Sequence, residues 1–224
     1  MDNKAQREYW EHHIEQFDKA FYDSLNPGKR SLLSAFVASS RKKSIQQRFQ
    51  FVTKFLEEVG VQDRSFIDAG CGGGRLTEWL LKHGAAAIYA IDITEKSIAI
   101  AKKRIATTCP EKSHKVEFHV GDITQITLPK ADCFIGLGLV EYLDNLPVFL
   151  TNIAGNYRWV IVNYPLTFHW KRPIRLFVEY FEHSKRHYYS PDDMAKLFTQ
   201  YGYTRRKNMP FGASILDFFE TQSV

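Results

Sequence analysis

The chain has 224 residues, of which 44% are hydrophobic, 25% charged and 14% aromatic. This composition is typical of a globular protein and excludes a disordered or collagen-like chain, and the length excludes an array of domains. The three cysteines form no C-x-x-C pair, which argues against a zinc knuckle or a disulfide framework and favours a reducing, cytoplasmic location. We expect neither a signal peptide nor a transmembrane segment, because no apolar run approaches about 18–20 residues.

The net charge of +5 is distributed unevenly along the sequence. Residues 65–163 carry 10 basic and 10 acidic side chains, so the excess lies in the segments on either side. Residues 24–56 contain seven basic side chains and no acidic one. That stretch is either a solvated face or a contact for phosphate, a carboxylate-rich acceptor or an anionic membrane surface.

Residues 1–64 are predicted to form a helical cover. Apolar side chains recur there at spacings near 3.6 in two groups, which is the period of an amphipathic helix. The groups are Tyr9, Trp10, Ile14 and Phe17, and Phe49, Val52, Phe55 and Leu56.

Residues 65–163 alternate short β-branched runs with segments of helical period, which predicts an α/β fold with helices on both faces of a mostly parallel sheet. The predicted strands are 65–68, 87–92, 116–120, 132–137 and 159–163. The predicted helices are 75–84, 147–154, and one that Thr94 caps and that runs to about residue 107.

The remaining residues are predicted to complete a single domain, 1–224. Residues 164–190 form an aromatic and basic insertion, interpreted as a lid over the acceptor side. In the C-terminal part, 191–224, Ser190 caps a helix that begins with Pro191, and residues 214–219 form a strand beside the parallel set.

The junction of the first strand and first helix carries the strongest motif, Asp68-Ala69-Gly70-Cys71-Gly72-Gly73-Gly74-Arg75. Glycines at this point let a ligand approach the backbone at a helix N-terminus. The spacing is G-x-G-x-G, and Arg75 stands where a dinucleotide fingerprint needs glycine. Asp68 would repel a pyrophosphate, whereas it suits a ligand with an ammonium and a sulfonium group.

On these residues the chain resembles the class I S-adenosylmethionine-dependent methyltransferases over about residues 45–165. The resemblance implies a Rossmann-like, doubly wound, seven-stranded sheet, S-adenosyl-L-methionine as cofactor, S-adenosyl-L-homocysteine as product, and no metal. In layout the chain also resembles the magnesium-protoporphyrin methyltransferases, from which we assign no substrate.

The resemblance implies a set of cofactor-binding residues, and the three acids among them follow successive strands, at the edge where open α/β sheets bind ligands. Asp92 would hold the ribose hydroxyls, Asp122 the adenine amino group, and Gly138 would lie under the sulfonium. The full set is Asp68, Ala69, Gly70, Cys71, Gly72, Gly74, Asp92, Ile93, Asp122, Ile123 and Gly138.

The acceptor site is less closely defined. Glu141 and Tyr142 either line the reaction centre or begin a helix, and Tyr142 replaces a histidine common in the family. The insertion is either an amphipathic lid or an anion-binding and acid/base cluster. Predicted acceptor-binding residues are Glu141, Tyr142, Tyr164, Arg175, Tyr180 and Tyr189, and the candidate bases are His187, His169 and Tyr142. The histidine spacing does not suit a metal.

The function implied is methyl transfer to an oxygen or nitrogen, carboxylate oxygen included, of a small anionic or aromatic metabolite. The alternatives are a nucleic-acid methyltransferase, which the basic stretch favours, and a non-catalytic S-adenosylmethionine-binding domain. Against a base-amino methyltransferase, no Asn/Asp-Pro-Pro-aromatic segment follows the fourth strand. We expect a monomer or homodimer.

Overall fold

A seven-stranded sheet forms the centre of the computed structural model, which describes residues 3–22, 32–169 and 186–221. The strands are β1 (Ser65–Ala69), β2 (Ala87–Asp92), β3 (Val116–Val120), β4 (Cys133–Gly136), β5 (Trp159–Pro165), β6 (Tyr203–Phe211) and β7 (Ser214–Thr221). Their order is β3-β2-β1-β4-β5-β7-β6; the first five are parallel, and β7 is antiparallel to β5 and β6. The predicted fold class is confirmed.

Six helices cover the sheet or flank its carboxyl edge within the described residues. They are α1 (Asn3–Tyr22), α2 (Leu32–Val59), α3 (Arg75–Lys82), α4 (Glu95–Thr108), α5 (Leu146–Ile153) and α6 (Pro191–Gln200). Two of the predicted helix caps are confirmed, because Thr94 Oγ1 accepts a hydrogen bond from Ser97 N and Ser190 Oγ accepts one from Asp193 N. Capping in this way satisfies backbone N–H groups that have no partner within the helix.

The registers of β1, β2 and β4 place their carboxyl ends side by side. Ala69 at the end of β1 is paired with Ile91 on one side and with Gly136 on the other. The loops that follow these strands therefore leave the sheet at a single edge, where ligands of open α/β sheets bind.

The apolar core lies on both faces of the sheet. On one face Val52 and Leu56 of α2 are fully buried, and the ring of Phe55 lies 4.2 Å from that of Phe218. On the other face Phe198 of α6 stacks on Phe219 at 3.8 Å. Consecutive residues of β7 therefore anchor helices from opposite ends of the chain, because strand side chains alternate between the two faces.

The sequence analysis did not identify β6 as a strand. Its residues 206–208 are exposed, and it contains three consecutive cations, Arg205, Arg206 and Lys207, so it lacks the apolar alternation of a half-buried strand. As an edge strand it pairs only with β7, and charged side chains are common at such edges. The insertion predicted at 164–190 begins inside β5, and its residues 170–185 lie outside the described part of the chain.

Close packing of α3 against α4 predicts that Gly74→Ala destabilises the fold more than Gly202→Ala. Both glycines have positive φ, 75° and 82°, but a Cβ on Gly74 would lie 2.8 Å from that of Ala101, whereas one on Gly202 meets no atom within 4 Å. We expect Gly202→Ala to cost about 1–2 kcal/mol from backbone strain alone, and Gly74→Ala about 1–3 kcal/mol more from overpacking. Urea unfolding of both variants measures the difference, and equal losses would contradict the packing argument.

Candidate functional site

A cleft of about 710 Å³ lies along the carboxyl edge of the sheet. Its floor is formed by the loops that follow β1, β2, β3 and β4, and its cover by side chains of α1 and α2. The volume is within the range of about 300–1,000 Å³ that is usual for small-molecule sites.

The glycine turn between β1 and α3 is attached to the end of β2. Gly70 N and Cys71 N both donate to Ile91 O, at 2.8 and 3.0 Å, and Gly72 N donates to Asp92 Oδ2 at 3.0 Å. Gly70 and Gly72 have φ values of 70° and 52°, which other residues adopt only with strain. The turn therefore presents bare backbone to the cleft in a fixed position.

Asp68 is buried at the end of β1 and lines the cleft. Its Oδ2 accepts a hydrogen bond of 2.6 Å from Thr77 Oγ1. Burial raises the pKa of this carboxyl to about 6, because the charged form loses its hydration. No cation of the described residues forms an ion pair with it, so its negative charge is uncompensated at neutral pH.

Asp92 is the second uncompensated carboxylate. Besides Gly72 N, it accepts hydrogen bonds from Thr94 N and Thr94 Oγ1, each of 3.0 Å. These donors are neutral, and burial raises the pKa of Asp92 above its ordinary value. The bonds fix the orientation of the carboxylate without cancelling its charge.

Asp122 and Ile123 line the cleft after β3, as does Ile93 after β2. Asp122 Oδ1 accepts hydrogen bonds from Thr124 N at 2.9 Å and from Thr124 Oγ1 at 2.7 Å. All three acids predicted to bind the cofactor thus lie in one cleft.

The other predicted cofactor residues divide between the cleft and the core. Gly138 lines the cleft, and so does Cys71, whose thiol has its pKa raised by burial. Ala69 is fully buried within β1, and Gly74 precedes α3 against Ala101. These last two contribute packing and lie outside the lining.

Of the predicted acceptor residues, Glu141 and Tyr142 line the cleft. The Tyr142 ring lies 6.2 Å from that of Trp10, edge to face, and 5.7 Å from the Arg186 guanidinium. Arg186 Nε also lies 4.0 Å from Glu141 Oε1. This group forms one side of the cleft.

Tyr164 and Tyr189, both predicted to bind the acceptor, pack away from the lining of the cleft. Tyr164 is fully buried and its hydroxyl donates to Asp217, so it points away from the cleft. The Tyr189 ring packs edge-on against Tyr164 at 5.8 Å, and its hydroxyl is 3.5 Å from Val140 O. Neither is among the described residues that line the cleft.

Neither histidine proposed as a base lines the cleft among the described residues. His187 Nε2 lies 3.0 Å from Asp144 Oδ1, and its backbone N–H donates to Glu141 O at 2.7 Å. His169 follows the end of β5. Arg175 and Tyr180 lie outside the described residues.

Helix α1 contributes contacts that the sequence analysis did not assign. Asp18 is buried, and its carboxylate accepts hydrogen bonds from Arg75 Nε at 3.0 Å and Arg104 Nη2 at 2.7 Å. Arg104 Nε in turn donates to Gly73 O at 2.6 Å. Trp10 and Ile14 of the same helix line the cleft. The attachment of α1 to the glycine turn has a signal in the sequence. Asp18 is an acid one turn after Ile14, on the same apolar face of the helix.

Arg48 of α2 and Asn163 of β5 also line the cleft, and neither was assigned a role. Arg48 Nη1 donates to Asn163 Oδ1 at 3.4 Å, while Arg48 Nε is buried and has no hydrogen-bond partner among residues 3–22, 32–169 and 186–221. Such an unpaired donor typically costs about 1–3 kcal/mol. The sequence signal for a role of Arg48 was its position in residues 24–56, the basic stretch without an acidic side chain.

The described residues contain no group of three His, Cys, Asp or Glu side chains placed to hold a metal ion. No helix in the described segments is long and apolar enough to span a membrane.

Comparisons with known proteins agree with this geometry. Residues 66–158 match a family model described as "Methyltransferase domain". A magnesium-protoporphyrin O-methyltransferase from Rhodobacter capsulatus is 40% identical over 76 residues, which are 34% of this chain and 32% of that protein. A ubiquinone biosynthesis O-methyltransferase from Coxiella burnetii is 30% identical over 95 residues, 42% of this chain and 38% of that protein. The chain thus matches about a third of the length of each.

A solved structure extends the likeness beyond the matched segment. Magnesium protoporphyrin IX methyltransferase from Synechocystis, crystallised with S-adenosylhomocysteine, superposes with a TM-score of 0.80 at 17% identity. The match covers 99% of this chain and 100% of that one, and at this identity it shows a shared fold.

The order of the strands is that of the class I, Rossmann-like methyltransferase fold. Residues 66–158, less than half of the chain, match a methyltransferase domain, in agreement with the predicted resemblance. The side chains of the cleft fit S-adenosylmethionine, because Asp68 and Asp92, which have no cation partner among the described residues, suit an ammonium group, a sulfonium and ribose hydroxyls.

The buried charge of Asp68 predicts that Asp68→Asn stabilises the ligand-free protein at neutral pH. Because the folded-state pKa, about 6, is above the unfolded value near 3.8, the folded state binds more protons between these values. The stability contributed by this group therefore falls as pH rises towards 6. We expect the variant to gain about 1–3 kcal/mol at pH 7.5, with the gain shrinking as pH falls below 6. Urea unfolding at pH 7.5 and 5 tests this, and a pH-independent difference would contradict it.

Proposed function

We propose that the protein is an S-adenosylmethionine-dependent methyltransferase that acts on an oxygen of a small, anionic or aromatic acceptor. The observation that carries this proposal is a pair of carboxylates beside the glycine turn in one cleft, the buried Asp68 and the half-buried Asp92, neither of which has a cation partner among the described residues. The choice of oxygen is supported by the names of the relatives, both of which are O-methyltransferases.

When bound, the cofactor supplies a methyl group on a positively charged sulfur. Asp68 and the backbone of Gly70 and Gly72 would hold its methionine part, where the charge of Asp68 balances the ammonium group. Asp92 would accept from the ribose hydroxyls and Asp122 from the adenine amino group. The loop containing Gly138 would lie beside the sulfonium.

The chain's contribution to the reaction is alignment and the exclusion of water. Trp10 and Ile14 of α1 cover the cleft, and α1 is attached to the glycine turn through Asp18. In such an enclosed site an acceptor oxygen can be held in line with the methyl group, which accounts for much of the rate in bimolecular transfers.

The need for a base depends on the acceptor. A carboxylate oxygen attacks without losing a proton, whereas a hydroxyl must give one up. The described residues that line the cleft include no histidine, and Glu141 is the carboxylate nearest to Tyr142 in sequence that could take a proton there. This composition favours an acceptor that is already ionised.

The acceptor class can be tested by transfer from S-adenosylmethionine labelled in its methyl group. Magnesium protoporphyrin and a phenol are suitable first acceptors, since the relatives are named as O-methyltransferases of magnesium protoporphyrin and of ubiquinone biosynthesis. Labelled product that extracts with small molecules and resists nuclease would support the proposal. Label that nuclease releases would identify a nucleic-acid methyltransferase, and cofactor binding without transfer to any acceptor in a cell extract would identify a binding domain.

The position of Asp92 predicts that Asp92→Asn weakens binding of S-adenosylhomocysteine by about tenfold or more. The amide keeps one acceptor oxygen for Gly72 or Thr94 but loses the charge and the second acceptor that two hydroxyls require. Calorimetric titration measures the loss, and Glu117→Gln on the exposed surface of β3 is the control for removing an acid. Unchanged affinity in a folded Asp92→Asn protein would overturn the cofactor assignment.

A further inference from the structure

The guanidinium of Arg48 lies at the end of the cleft opposite the three acids. Asp122, Asp92 and Asp68 follow β3, β2 and β1, whereas Arg48 is bonded to Asn163 on β5, two strands beyond β1 in the sheet. Arg48 therefore places a positive charge on the β5 side of the cleft, where an anionic partner could lie next to a cationic cofactor.

Asn163 holds Arg48 beside the loop that follows β4. Asn163 Oδ1 accepts hydrogen bonds from Gly138 N at 2.7 Å and from Arg48 Nη1 at 3.4 Å. Because both neighbours are donors, the amide must present its oxygen to them. A Cβ built on Gly138 would lie only 3.1 Å from Arg48 Nη1, so the guanidinium and this loop are in direct contact.

The hydrogen-bonding capacity of Arg48 is largely unused within the described residues. A guanidinium has five N–H donors, yet one long bond to Asn163 is formed, and Nε is buried without a partner. No described carboxylate lies within ion-pair distance of Arg48, and Glu141, which lines the same cleft, lies near Arg186 instead. Asn163 is neutral, so it orients the charge of Arg48 without compensating it.

We propose that Arg48, positioned by Asn163, binds a carboxylate of the methyl acceptor and so selects carboxylate-bearing acceptors. A carboxylate matches the planar fork of a guanidinium through two parallel hydrogen bonds and supplies the missing negative charge. The identification of this end of the cleft as the acceptor side rests on the proposed function.

The test uses benzoate and benzamide as a matched pair of probes that differ in charge and share a shape. Each is titrated into the protein with and without saturating S-adenosylhomocysteine, and binding is followed by the NMR shift of the Arg48 Nε–H group. We expect benzoate to bind about tenfold or more tightly than benzamide. Wild-type protein that binds the two equally, or binds neither, would overturn the proposal.

Two substitutions test whether Arg48 causes that preference. Binding of the two probes to these variants is followed by the NMR shifts of backbone amides. Arg48→Gln removes the charge, and Asn163→Asp keeps the guanidinium but gives it a counterion inside the protein, so both should lose the preference for benzoate. Lys54→Gln, which removes an exposed cation from the same helix, should keep the preference for benzoate. If either Arg48→Gln or a folded Asn163→Asp protein retained the full preference, Arg48 would not be the binding group.

The design separates this inference from the proposed function. Wild-type protein that fails to bind S-adenosylhomocysteine would refute the cofactor assignment, while the titration without it would still report on Arg48. Protein that binds S-adenosylhomocysteine but does not distinguish benzoate from benzamide would refute the role of Arg48 and leave the cofactor assignment intact.

Discussion

Hydrogen bonds between the glycine turn and the end of β2 determine where the walls of the cleft lie. Gly70 and Cys71 reach the backbone of Ile91, and Gly72 reaches the side chain of Asp92. This attachment sets the start of α3 and brings Gly73 so close to α1 that an added Cβ would lie 2.7 Å from Asp18. The cover of the cleft is thus positioned by the same few residues that form its floor.

The charge distribution of the chain follows from this arrangement. The neutral segment 65–163 supplies the acids that end β1 and β2, while the basic stretch before it supplies Arg48 through α2. Opposite charges thus come from different parts of the chain and meet in one cleft.

Features that depend on local sequence could be predicted, because caps, glycine turns and apolar periods act over a few residues. The strands of the parallel sheet and the caps Thr94 and Ser190 are of this kind. The edge strand β6 could not be predicted in this way, because its exposed middle residues carry little apolar pattern.

The direction in which a side chain points from a strand was the second feature that could not be predicted from the sequence. Tyr164 was predicted to reach the acceptor, but it faces the side of the sheet that packs around Tyr189, and its neighbour Asn163 faces the cleft. Because successive side chains of a strand face opposite sides of the sheet, a difference of one residue decides which side chain reaches the cleft. Arg48 and Asp18 were also beyond local reasoning, since their partners lie 115 and 57 or more residues away in the chain.

The buried charge of Asp68 has a further effect on any cationic ligand that binds beside it. Such a ligand stabilises the ionised carboxyl, so binding near pH 6 releases a proton, and the heat of binding then depends on the ionisation enthalpy of the buffer. Because the ligand binds the folded chain alone, it also lowers the population of open states that proteases cleave. The lifetime of the protein in a cell would then follow the supply of that ligand.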